Sequence, residues 1–220
     1  MEKRNIFCLA LLGSISAALS ILYLGFGIPL PQSVVSLQPS DMAVSASDFL
    51  IPINEYPDLM LRFMTADSFL ILSGFLLYFG LYTVVSEKSG LIAAVGFGVG
   101  LFTILLDITE NAFLISYAQQ STNGSAITNP ALPLLYVIAN LKCTGSYAGF
   151  LVFGLAWPRE SKFDWVLSAV MILYPVSGVL SIILPEIILL RGIFLLLSML
   201  LFCWYFTVKC KVKIFRRSKK

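Results

Sequence analysis

Residues 91–117 read LIAAVGFGVGLFTILLDITENAFLISY. From Leu91 to Leu106 the stretch carries no charge; Asp107 and Glu110 then follow, about one helical turn apart, within a run that stays largely apolar to Tyr117. A spanning α-helix needs about 20 consecutive, mostly apolar residues, so this segment is long enough to cross a bilayer. Its two carboxylates then fall at membrane depth, where each charge costs about 2.5–3.5 kcal/mol on insertion scales. One stretch therefore poses both the fold question and the functional one.

The rest of the chain has the same character. Of its 220 residues 58% are hydrophobic and 12% charged, with a mean hydropathy of +0.89. That is too little polar surface to coat a soluble globule. Further apolar runs lie at about Asn5 to Ile28, Phe63 to Val85, Leu132 to Trp157, Trp165 to Leu184 and Ile187 to Val208. With Leu91 to Tyr117 they predict an all-α polytopic membrane protein, a bundle of six transmembrane helices over residues 1–208, followed by a basic tail over residues 209–220. Met1-Glu2-Lys3-Arg4 before small residues such as Ser16, Ala17 and Ala18 also suits a secretory signal, but the apolar run is long for one, and a retained helix is expected. Phe49 to Leu61, with Pro52 and Pro57, is apolar enough to lie on the bilayer surface, or else forms an extended loop.

Charge placement sets an expected orientation. With both termini, the second loop and the fourth loop on the cytoplasmic side, twelve of the 15 Lys and Arg residues lie there: Lys3, Arg4, Lys88, Arg159, Lys162 and seven tail residues. The opposite face then carries Asp41, Asp48, Glu55 and Asp58, with Arg62 at a helix mouth. The expected location is the cell membrane. Tyr117, Tyr136, Trp157 and Trp165 fit as interfacial anchors.

Several chemistries drop out. The chain has no histidine, which removes bis-histidine haem ligation, HExxH zinc sites and imidazole-based triads. No catalytic motif, cofactor or metal site is indicated, and nucleic acid is not an expected partner. Cys8, Cys143, Cys203 and Cys210 sit in apolar segments or beside the tail and read as free thiols. The tail suits anionic lipid headgroups as well as plain orientation; Cys210 is a candidate for palmitoylation, and Asn123-Gly124-Ser125 is a glycosylation sequon.

The candidate binding residues are the charged and amide groups left inside the spans: Asp67, Asp107, Glu110, Asn111, Asn140, Lys142 and Arg191, with Arg62 at the margin. Counting about 1.5 Å per residue from the expected outer helix ends puts Asp107 and Lys142 roughly 15 Å deep, Glu110 about 10 Å, and Asp67 and Arg191 about 6 Å. Gly96, Gly100, Thr103, Asp107, Glu110 and Asn111 recur at steps of three and four and share one helical face, which must look inward. Lys142 shares a face with Gly145 and Gly149, opposite Asn140, Thr144 and Tyr147, and is the expected partner of Asp107. The two glycine pairs predict close backbone approach between these helices. Asp67, Gly74 and Tyr78 supply a third wall, and Pro175 permits a kink in the fifth helix.

The long outer loop, Arg62 followed by Asp67, and Leu77-Tyr78 before a short basic turn make the chain resemble a family of bacterial six-helix membrane proteins known only as a domain of unknown function. That family often has an Arg with a Glu three residues later in its third helix, where this chain has Asp107 and Glu110. The resemblance implies a fold and no activity.

Three readings follow for the charged residues. They line an outer-half cavity that binds or moves a small polar or cationic species; they neutralise one another as a folding clamp or partner interface; or Asp107 and Glu110 act as an acid and base pair on a lipid.

Overall fold

A computed structural model describes residues 2–27 and 46–217, with side chains resolved over 2–27 and 49–210. Every regular element in those residues is helical. Helix α1 spans Lys3–Leu22 and runs into a π-helical turn at Tyr23–Gly27; α2 is Ala46–Asn54, α3 Pro57–Ser86, α4 Gly90–Thr122, α5 Leu132–Ala156 and α6 Lys162–Leu180. A 3-10 turn at Pro185–Ile187 leads into α7, Ile188–Arg217. The side chains after Cys210, and so most of the basic tail, lie outside the described residues, as do Asp41 and the Asp48 side chain.

Five segments are long and apolar enough to cross a membrane: Lys3–Gly27, Pro57–Ser86, Gly90–Thr122, Lys162–Leu180 and Pro185–Cys210. This is a helical membrane protein. The 25-residue α5 has the length but not the hydropathy, because Asn140, Lys142, Thr144 and Ser146 interrupt its middle. The expectation of six spans therefore meets five.

The long helices form a closed ring in chain order. Each of α3 to α7 packs on its predecessor, α3 packs on α1, and α7 returns to α1. Aromatic rings from α3, α5, α6 and α7 fill the centre: Tyr78, Phe150, Phe153, Tyr174 and Phe202 are all buried. Within lipid the hydrophobic effect does not drive helices together, so such dense packing and close small-residue approach must hold the ring.

That approach is not where the glycine pairs predict it. A Cβ on Gly96 would sit 3.0 Å from the Phe153 ring, one on Gly100 2.6 Å from the Tyr78 ring, and one on Gly145 would run into Thr103 Oγ1. These glycines make room for side chains rather than for a facing backbone. The tightest backbone approach is between α1 and α3, where a Cβ on Gly13 would lie 2.7 Å from the Ser73 carbonyl oxygen. Trp157 also departs from its expected role: it is 1% exposed and packs on Phe202 and Tyr205, so it belongs to the core. Trp165 remains exposed, with the Arg159 guanidinium 4.6 Å above its ring, as an interfacial residue would be.

Helices α3 and α4 are longer than the apolar runs, with 30 and 33 residues. At 1.5 Å per residue both exceed the roughly 30 Å of bilayer hydrocarbon, so one end of each can project beyond it. Their projecting ends hold α2. Phe49 to Leu61 is thus no extended loop: it is helical on both sides of a break at Tyr56, with Pro57 starting α3 where a missing N–H costs nothing. Phe49 and Ile53 of α2 pack with Met60, Met64, Leu114, Leu135 and Ile127 into a second, smaller core. The Asn54 amide fixes this cap, donating to the Ile127 carbonyl at 3.0 Å and accepting from the Ile127 N–H at 2.9 Å. Gly124, at φ +80°, provides the turn that releases the chain from α4 toward Ile127.

Candidate functional site

Between the two cores lies a layer of charge. On α4, Asp107 and Glu110 sit between Ile104, of the larger core, and Leu114, of the smaller one. On α3, Asp67 falls between Met64 and Ile71 in the same way, and on α5 Lys142 falls between Leu135 and Tyr147. The apolar periodicity that builds each helix leaves one stratum for polar groups, and all three helices place theirs at the same height.

Lys142 is the hub. Its Nζ donates to Asp107 Oδ1 at 2.8 Å and to Glu110 Oε2. Glu110 is the most enclosed member, its side chain 3% exposed against 22% for Asp107 and 23% for Lys142. Asp67 lies close enough to feel the charges of all three and is hydrogen-bonded by Asn111. The Asn111 amide also reaches Ser68 Oγ at 3.4 Å. Asp67, Asp107, Glu110, Asn111 and Lys142 are therefore brought together, as their helical faces predict.

Fully ionised, the layer holds three carboxylates against one ammonium, an excess of two negative charges. Ionised groups in a low-dielectric surrounding must be paired or neutralised. A proton or a small cation is the simplest source of the missing charge. Nucleophilic chemistry has less support: the hydroxyls of Thr103 and Ser68 donate back to carbonyls on their own helices.

The other three candidates stand elsewhere. Asn140 donates to the Tyr136 carbonyl at 2.8 Å on its own helix. Arg191 donates to Tyr147 Oη at 3.2 Å, beside a Ser146–Tyr174 hydroxyl pair 3.0 Å apart. Tyr147 lies five residues beyond Lys142, about 140° further round α5, so one helix serves the charged layer on one side and a tyrosine–arginine group on the other. Arg62 lines a groove between α1 and α3.

Ser68 and Asn54 do not stand out in the sequence. Ser68 carries no signal beyond its place next to Asp67. Asn54 carries one: a lone amide closing an otherwise apolar segment usually satisfies backbone at a helix end.

No family model matches the chain, and neither a curated protein nor a solved structure resembles it.

Proposed function

We propose that this protein is a six-span carrier or binder of protons or a small monovalent cation, with the charged layer of Asp67, Asp107, Glu110 and Lys142 as its site. One observation supports the reading above the others: a single ammonium faces three carboxylates between two apolar cores. A structural clamp needs only balanced charge. This layer is unbalanced, and intramembrane carboxylates in excess of their partners are the usual mark of proton or cation pathways. In this account α5 is the sixth span. Its ring neighbours are α4 and α6; Lys142, Ser146 and Tyr147 reach Asp107 of α4, Tyr174 of α6 and Arg191 of α7, and these contacts offset its low hydropathy. The distribution of Lys and Arg then puts both termini in the cytoplasm and α2 outside the cell membrane.

The smaller core and α2 lie over the layer, while Asp107 and Lys142 stay partly exposed at its side, so access runs through that lateral face or requires the cap to move. The test is flux in proteoliposomes loaded with a pH-sensitive dye. Wild type should pass protons or exchange them for a monovalent cation, and Asp107→Asn with Glu110→Gln should abolish the signal at unchanged folded yield. Equal flux in the two proteins would reject the proposal.

A second reading, the clamp, is favoured by the two direct bonds from Lys142 to Asp107 and Glu110. It leaves Asp67 without a purpose.

A further inference from the structure

Arg62 takes no part in the charged layer, yet it lines two adjoining cavities of opposite character. The first is an apolar groove of ≈ 590 Å³ between α1 and α3, lined by Leu12, Leu19, Tyr23, Thr65 and Phe69 with Arg62. The second, of ≈ 310 Å³, is bounded by Glu55, Asp58 and again Arg62. No ion pair among the described residues joins Arg62 to either carboxylate. Its guanidinium is exposed at the point where the groove meets the acidic recess.

The dimensions match a lipid. The first cavity falls within the roughly 300–1,000 Å³ of ligand pockets. From Leu12 to Tyr23 it follows α1 for about 16 Å at 1.5 Å per residue, close to half of the roughly 30 Å hydrocarbon thickness, the depth of one leaflet. The chemistry changes along that path in an order that matches a phospholipid: apolar wall, then guanidinium, then carboxylates. An arginine binds phosphate through its paired N–H donors. Carboxylates beyond it suit an ammonium and repel a second anionic group.

We infer that the α1–α3 groove binds one phospholipid with a primary amine in its headgroup, phosphatidylethanolamine in type, its acyl chain against Leu12, Leu19 and Phe69, its phosphate on Arg62 and its ammonium at Glu55 and Asp58. The charge sequence decides between lipids: phosphatidylglycerol would also place its phosphate on Arg62 but bring an uncharged glycerol, and no ammonium, to Glu55 and Asp58.

The test uses the full chain in nanodiscs containing a phosphatidylethanolamine with a photoreactive group on its acyl chain, and crosslinked peptides mapped by mass spectrometry. Labelling should concentrate on residues 12–23 and 61–69, and unlabelled phosphatidylethanolamine should compete where phosphatidylglycerol does not. Arg62→Ala should reduce groove labelling roughly tenfold, as expected on losing a bidentate charged bond, whereas Arg62→Lys should retain part of it, which separates lost binding from lost folding. Glu55→Gln with Asp58→Asn should abolish the preference for the amine while leaving labelling itself. Labelling spread evenly over the lipid-facing surface, or equal competition by phosphatidylglycerol, would overturn the inference. So would an unlabelled groove, the outcome if chain between Gly27 and Ala46 fills it.

Discussion

Lys142 Nζ lies 2.8 Å from Asp107 Oδ1, across the interface between α5 and α4, and the same ammonium donates to Glu110. One cation thus fastens two carboxylates on successive turns of one helix. Replacing it by an isosteric apolar group leaves both exposed to each other and to Asp67. Lys142→Met should therefore destabilise the protein by about 3–5 kcal/mol, the usual cost of stranding buried charge. Thermal unfolding in detergent measures this, and a variant as stable as wild type would contradict the layer's geometry.

Asp67 is the carboxylate without a direct bond to Lys142, bonded instead by Asn111. Removing its charge lowers the excess from two to one, so Asp67→Asn should keep the fold, with unfolding temperature unchanged or raised, while lowering flux in the proteoliposome assay. Loss of folded protein in this variant would show that Asp67 serves the bundle rather than the cargo.

The Asn54 amide makes both of its hydrogen bonds to the Ile127 backbone, at 3.0 and 2.9 Å, and so holds α2 over the layer. Asn54→Ala should weaken the cap by about 1–3 kcal/mol, because it leaves backbone groups of a part-buried residue unpaired. A maleimide probe should then label a cysteine placed at Ser68 faster than in the Asn54 parent. Unchanged labelling would mean that α2 does not gate access.

Ring closure gives a fourth expectation. Cys8 Sγ of α1 and Cys210 Sγ of α7 lie 3.0 Å apart, although 202 residues separate them in sequence. Oxidation with copper phenanthroline should join them within one chain, giving a faster monomer band on a non-reducing gel that Cys8→Ser removes. Dimers in place of that band would argue that α7 does not return to α1.

Much of the site is legible in the amino-acid sequence. Asp107, Glu110 and Asn111 share a helical face because steps of three and four fix it, and Lys142 is the one base deep enough to meet them. What resists reading is partnership across helices. Spacing says that Gly100 faces inward but not that Tyr78 fills the gap it leaves, and it sets Arg191 within a span but does not say that Tyr147 receives it. Such pairings depend on how helices order themselves around the ring, which local periodicity does not encode. The cap escapes sequence reading for a related reason: the apolar side chains of Phe49 and Ile53 match a membrane surface as well as the top of a bundle, and only the projecting ends of α3 and α4 decide between them. Hydropathy likewise passes over α5, whose Lys142 and Tyr147 bond residues of α4 and α7.

The most direct measurement is cation or proton flux through the triple variant Asp107→Leu, Glu110→Gln and Lys142→Met, reconstituted beside wild type. The substitutions remove Lys142 together with both carboxylates it bonds, and uncharged groups of similar volume often replace a buried ion-pair cluster at little cost to stability. If the layer is a site for protons or a small cation, the variant should fold with near-wild-type stability and carry no flux. A folded variant with wild-type flux would contradict that account and reduce the cluster to a clamp.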